Sequence, residues 1–298
     1  MEKIHREECP ICGSKKLVKK YNIQDFTVSK EYYDLVSCSS CNFAFTQDIP
    51  SAKDIGPYYK NEDYVSHSDT QKGLFFKIYH IVRNYMLEQK RKAIVKHLDS
   101  DGKKILDIGA ATGHFLNHMK KNGFDTVGIE QDKEVREKAA QTFGISIFPT
   151  EKLYGFPENE FDVITLWHVL EHVHDLDAYL KQIKKILKPK GLLLIALPNK
   201  ESYDAQKYKE YWAAWDIPIH LWHFSPNNIQ DLLKKHQLKL HKEQALPFDA
   251  FYVSILSAKA KQSILSFVTG GWNGLISFIK GRFNIEKNSS LIYFFKHQ

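Results

Sequence analysis

Residues 105–116 read Ile-Leu-Asp-Ile-Gly-Ala-Ala-Thr-Gly-His-Phe-Leu, and no other stretch restricts the possible folds as much. The mostly apolar run Ile105 to Ile108 suits a parallel strand buried on both faces. Gly109 and Gly113 bracket a tight turn, and Phe115, Leu116 and Met119 begin a helical pattern. Glycine lets the backbone approach a ligand closely, while the following helix offers unpaired N–H donors and a positive dipole end. A second strand, Thr126 to Glu130, ends in an acid 21 residues after Gly109. A strand-end carboxylate at that spacing reaches ribose hydroxyls.

The alternation continues. Glu134 to Phe143 reads as a helix, Ser146 to Phe148 as a strand, Phe161 to Trp167 as a strand and Leu176 to Leu187 as a helix. Pro189-Lys190-Gly191 reads as a turn into a fifth strand, Leu192 to Leu197. A helix at Asn228 to His236 precedes strands at Leu238 to Gln244 and Leu291 to Phe295, which would close the sheet as an antiparallel pair. Strands alternating with helices give a parallel sheet covered on both sides. The expected class is α/β, with a Rossmann-like seven-stranded sheet.

Four cysteines lie outside that pattern, as Cys9-Pro-Ile-Cys12 and Cys38-Ser-Ser-Cys41. The chain opens on polar residues and shows no secretory signal, so its thiols should stay reduced. Two such knuckles suit tetrahedral Zn²⁺, and four thiolates leave no position open for water or substrate. Cys9, Cys12, Cys38 and Cys41 are therefore expected to hold a structural zinc in a small ribbon-like unit. That unit has too little chain for a core of its own, so the metal would supply its folding free energy.

The expected division is a four-cysteine unit at 1–47, then a linker, Tyr-rich loop and basic helix at 48–98. A catalytic domain at 99–298 follows, with a helical insertion at 250–287. Lys+Arg exceed Asp+Glu by 42 to 35, and 43% of residues are apolar, ordinary for a globular protein and too polar for a membrane bundle. Nine basic and three acidic residues fall between Lys72 and Lys104, which reads as a solvated helix face. The insertion is apolar with basic flanks. It is read first as packing on the domain, with a membrane surface and a dimer interface as alternatives.

These motifs resemble class I S-adenosylmethionine (SAM)-dependent methyltransferases. Leu106 to Gly113 is similar to the family's first motif, Phe161 to Val173 to its fourth-strand motif, and Lys188-Pro-Lys-Gly191 to the turn before its fifth strand. Ala111 departs from the family, many of whose members have a middle glycine. The cysteine unit and Tyr-rich loop resemble a bacterial subgroup related to sugar C-methyltransferases and ubiquinone-type O-methyltransferases. The long C-terminal domain of the sugar enzymes has no counterpart here.

The resemblance implies that Gly109, Ala110 and Gly113 lie against the methionyl part of SAM, with Phe115 beside them and Asp107 orienting the loop. Glu130 would accept the ribose hydroxyls, Gln131 would flank the adenine, and Thr150 and Glu151 would hold its amino group. Trp167 and His168 complete the cofactor set at the carboxyl end of the fourth strand.

The acceptor side is read from histidines. His168, Glu171 and His172 share a face if their turn is helical, and His220-Leu-Trp-His223 follows the fifth strand. Three readings stand: Glu171 and His172 brace the loop; His172 or His223 is the general base; or His168, Glu171, His172 and His223 hold a divalent metal, as in small-RNA 2′-O-methyltransferases. Tyr64 and His67 of the Tyr-rich loop are expected to line the same pocket. The expected partner is a small-molecule acceptor (a sugar, a quinone- or polyketide-like compound, or a lipid-linked one) in a cytoplasmic enzyme, with contact at the inner membrane face left open. Nucleic acid is not expected, since residues 1–50 carry seven basic and seven acidic residues. A zinc-ribbon RNA methyltransferase is the alternative.

Overall fold

The computed structural model describes residues 2–59, 74–246 and 248–298, and only the backbone of residues 74–81. Tyr64 and His67 lie outside the described residues.

The amino-terminal unit holds β1 (Lys3–Ile4), β2 (Leu17–Gln24), β3 (Tyr32–Cys38), β4 (Ala44–Thr46) and β5 (Ile49–Pro50). Helix α1 (Leu74–His97) leads to the large sheet. There β6 (Lys104–Ile108), α2 (His114–Lys121), β7 (Asp125–Ile129), α3 (Lys133–Phe143) and β8 (Ser146–Phe148) alternate. They are followed by β9 (Phe161–Trp167), α4 (Leu176–Ile186) and β10 (Leu187–Pro198). Then come α5 (Tyr203–Tyr208), β11 (Trp222–His223), α6 (Pro226–Lys235), β12 (Leu238–Ala245), α7 (Asp249–Ala260), α8 (Ser266–Phe283) and β13 (Ser290–His297).

Seven strands pair in the order β12-β13-β10-β9-β6-β7-β8. β13 runs antiparallel to both neighbours, and the bonds among β10, β9, β6, β7 and β8 are parallel. The expected α/β class and seven-stranded sheet are therefore present. Local chemistry sets the boundaries. The Asp132 carboxylate accepts from Val135 N at the start of α3, and Gly144, with φ of 58°, ends it. Ser225 caps α6 with Pro226 in its first turn. The turn expected at Pro189-Lys190-Gly191 is instead part of β10, whose register with β9 shifts between Leu187 and Leu192. Leu187 folds back there, and a Cβ on Gly191 would stand 2.7 Å from its Cδ1.

A second sheet, β11-β4-β3-β2, joins the amino-terminal unit to the α/β unit. Trp222 pairs with Phe45 and His223 with Ala44. The shortage of core expected for the cysteine unit is met by sharing one. Leu35, Phe43 and Phe45 are fully buried in the same cluster as Trp222, Phe224 and Ile229, with Phe43 stacked 6.0 Å from Trp222.

Candidate active site and thiolate cluster

The first motif folds as a tight loop above the carboxyl end of β6. Gly109 and Gly113 have φ of 76° and 75°, the left-handed region, where L side chains are strained. A Cβ on Gly109 would also stand 2.4 Å from Val169 Cγ2. Ala111 takes a positive φ, 43°, in the position where a glycine is common among the proteins this motif resembles. Glu130, at the end of β7, secures the loop: Ala111 N donates to Oε2 at 2.9 Å and Asp132 N to Oε1 at 3.0 Å. Each oxygen keeps a second lone pair, which is what a ribose diol would need. Thr150 and Glu151 begin the short 3₁₀ segment after β8.

Asp107 is 2% exposed and accepts from Thr165 Oγ1 at 2.6 Å. Its partner is thus a neighbouring strand, and the loop is held by Glu130. Burial pushes the Asp107 carboxyl up to about 7, against the pull of Thr165 and Lys90. Lys90 comes from α1. Its Nζ lies 3.8 Å from the Trp167 ring centroid, and desolvation lowers it to about 8, opposed by Asp107 and Asp249. Trp167 packs edge-on to Phe115 at 5.5 Å, and its Nε1 is buried with no hydrogen-bond partner among the described residues. A glycine cradle that one Cβ would fill, an acid with spare lone pairs and an orphaned indole N–H fit a bound nucleoside-bearing ligand.

The turn after β9 carries the histidines singled out in the sequence. His168, at φ of 56°, lies between Glu171, with Nδ1 3.4 Å from Oε1, and Asp249, with Nε2 3.2 Å from Oδ2. Burial lowers its pKa, but the two acids outweigh this and hold it at about 10, so it is an imidazolium at neutral pH. Glu171 is 1% exposed, and neither carboxylate oxygen receives a hydrogen bond from a described residue.

Glu171, His172 and His220 each offer a ligand atom within 4.8 Å of the others. His172 Nδ1 lies 2.9 Å from the Ile219 carbonyl and 3.2 Å from the Tyr59 hydroxyl. His220 Nδ1 lies 2.9 Å from the Ala214 carbonyl. A carbonyl only accepts, so each Nδ1 carries a proton, and in a neutral ring the lone pair is then on Nε2. Desolvation, with repulsion from His220, lowers His172 to about 4, and it is neutral at pH 7.

The structure brings His220, rather than His223, beside Glu171 and His172. His223 is buried on the other side of the segment, with Nε2 3.0 Å from Thr46 Oγ1 and its ring 4.9 Å from that of Trp215. Thr46 gives its own proton to the His220 carbonyl at 2.7 Å, so His223 Nε2–H is the donor of that pair. On a nearly extended chain, residues an odd number apart face opposite ways. That period was a readable signal for separating the two histidines. Lys90 does not belong to the solvated basic face expected of this helix, and a signal for that was present: with Met86 and Ile94 it lies on one helical stripe, so it interrupts an apolar face. Tyr59 and Asp249 carried none, since their roles depend on distant contacts.

The four cysteines come together, with all Sγ atoms within 4.8 Å. Cys9 to Cys41 and Cys12 to Cys38 are each 3.6 Å. Zn–S bonds of about 2.3 Å give tetrahedral edges of about 3.8 Å, so the set fits that ion. Burial would raise the Cys38 thiol, but amides of Cys41 and Ser40 and the neighbouring thiols hold it down at about 6. The α/β unit grips both knuckles: Asn228 Nδ2 donates to the Cys41 carbonyl at 2.9 Å and Lys235 Nζ to that of Ile11.

A family profile described as "Methyltransferase domain" matches residues 79–243, more than half of the chain. The ubiquinone biosynthesis O-methyltransferase of Pelagibacter ubique is 33% identical over 158 residues, which cover 49% of this chain and 65% of that one. The same enzyme of Bartonella bacilliformis is 31% identical over 152 residues, covering 46% and 57%. The chain thus spans less than two thirds of the length of these curated relatives. A crystal structure from Galdieria sulphuraria, described as a sarcosine dimethylglycine methyltransferase, superposes with a TM-score of 0.50 at 16% identity, covering 74% of this chain and 87% of that one. That likeness is one of fold. With the family profile over more than half of the chain, the glycine turn, the strand-end carboxylate and the strand order in place, the chain belongs to the class I SAM-dependent methyltransferases.

Proposed function

We propose that this protein methylates a small-molecule acceptor, using SAM bound at the carboxyl ends of β6, β7 and β9. SAM supplies an electrophilic methyl on a sulfonium, so the protein must place a nucleophile in line and take its proton. Glu130 would grip the ribose, the 109–113 loop the methionyl part, and the Lys90 ammonium its carboxylate. Gln131, Thr150 and Glu151 would surround the adenine. The observation that carries the acceptor side is His172: neutral, with Nε2 unprotonated, next to the unsatisfied Glu171 carboxylate. His172 takes the acceptor proton, and Glu171 stabilises the imidazolium that forms. Quinone-like phenols fit this chemistry and the curated relatives; sugar and lipid-linked hydroxyls fit the chemistry equally. Four thiolates would hold one structural Zn²⁺, which suits a reducing compartment such as the cytoplasm.

The gathering of one ligand atom each from Glu171, His172 and His220 within 4.8 Å supports a second reading, a divalent cation held by these three residues. Release of S-adenosylhomocysteine, measured with phenols, sugar nucleotides and lipid-linked sugars in turn, tests both. Turnover in His172→Ala should fall by roughly 10²–10⁴-fold with cofactor affinity nearly unchanged. Wild-type turnover in His172→Ala and in Glu171→Gln would remove the base. Loss of activity on mild chelation, restored by Mg²⁺ or Mn²⁺ with the thiolate zinc intact, would favour the cation.

A further inference from the structure

Helix α8 lies against α7 through small residues. A Cβ on Gly270 would stand 2.5 Å from Ile255 Cα, and one on Gly274 2.8 Å from Phe251 Cα. Ser254, Ser257 and Ser277 are fully buried in the hairpin. Such close approach leaves the large residues facing outward. Ile264, Phe267, Val268, Trp272, Ile279 and Phe283 are 99, 69, 66, 64, 45 and 89% exposed. Val268, Trp272, Ile279 and Phe283 follow one another at helical spacing on one face, and Ile264 and Phe267 add exposed apolar surface at the amino-terminal end of α8. Contiguous apolar surface of this kind is a docking site, unlike scattered single residues. No helix among the described residues is long and apolar enough to cross a membrane, so the face would lie on a surface.

Charge decides the occupant. Residues 250–283 carry Lys259, Lys261, Lys280 and Arg282 and no acid. All four are exposed, with Lys280 also over the Tyr203 ring at 4.2 Å, and a second copy docked about a twofold axis would bring two cationic hairpins together. An anionic bilayer pairs with them, and Trp and Phe settle at headgroup level. The root of the hairpin is at the active site, since Asp249 in the first turn of α7 contacts His168 at 3.2 Å. We propose that the outer face of α7–α8 docks on an anionic lipid surface and presents the acceptor side of the site to lipid-linked substrates. The second half rests on the methyl-transfer reading; the docking does not.

The test is cosedimentation of the full chain with phosphatidylcholine vesicles containing about a third phosphatidylglycerol, beside pure phosphatidylcholine. The protein should sediment with the anionic vesicles, with a blue-shifted Trp emission. Phe267→Ser with Trp272→Ser should weaken partitioning by roughly tenfold or more. Lys280→Gln with Arg282→Gln should weaken it on the anionic vesicles alone and flatten its salt dependence. All four side chains lie outside the cofactor site, so unchanged S-adenosylhomocysteine affinity verifies the fold of each variant. Absence of cosedimentation at low salt would overturn the docking. So would a dimer that the Phe267→Ser, Trp272→Ser variant dissolves while vesicles bind neither protein. In both cases, retained cofactor binding would leave the methyl-transfer reading standing.

Discussion

Cys12→Ser protein should purify without stoichiometric zinc, melt about 10 °C or more below wild type, and lose turnover. Structural zinc contributes on the order of 10–16 kcal/mol of apparent binding free energy in small thiolate units. That matches or exceeds the whole net stability of a typical domain, about 5–15 kcal/mol. Cys12 is the exposed member of the four, so its replacement disturbs packing least and isolates the loss of the ligand. The effect reaches the active site along a short covalent and hydrogen-bonded route. Cys41 lies three residues before the start of β4, and Thr46 at the end of β4 bonds to the carbonyls of His220 and Leu221. Leu221 N in turn donates to the Glu171 carbonyl at 2.8 Å. Elemental analysis and a thermal melt check the outcome. A metal-free Cys12→Ser variant that melts and turns over like wild type would show that the four thiols have no structural role.

Much of the large sheet was legible because its signals are local. β8 and β9 have the bounds that the apolar runs gave them, and α3 and α6 begin at the Asp132 and Ser225 caps. The seven strands and the closing antiparallel pair followed from the alternation of strands and helices, while their order in the sheet is set by tertiary pairing. The second sheet was not legible. β11 is two residues long, and Trp222-His223 has no periodicity to read; only its pairing with Phe45 and Ala44 makes it a strand. Asp107 illustrates a different limit. Its place in the motif suggested that it orients the loop, but its hydrogen bond is to Thr165 on the neighbouring strand, and the carboxylate bonded to the loop is that of Glu130. The exposed α8 face was visible only as composition. Which residues point outward depends on Gly270 and Gly274 meeting α7, a tertiary contact with no sequence signature beyond small residues four apart.

The second large effect concerns the cofactor. Gly109→Val should abolish SAM binding, because its side chain would meet Val169 and require a strained backbone at φ of 76°. Glu130→Ala removes two hydrogen bonds to the loop and its flank together with the ribose acceptor. Each bond to a charged group contributes about 1.5–3 kcal/mol, so affinity should fall by about a hundredfold or more. Glu130→Gln keeps one acceptor oxygen for Ala111 N and should lie between the two. Calorimetric titration of S-adenosylhomocysteine into the wild-type protein and Glu130→Ala tests the central claim most directly. The expected result is saturable binding of one ligand per wild-type chain and a loss of about a hundredfold in the variant. Absence of binding to the wild type, or equal affinity in the two proteins, would contradict a cofactor site built on the 109–113 loop and the Glu130 carboxylate.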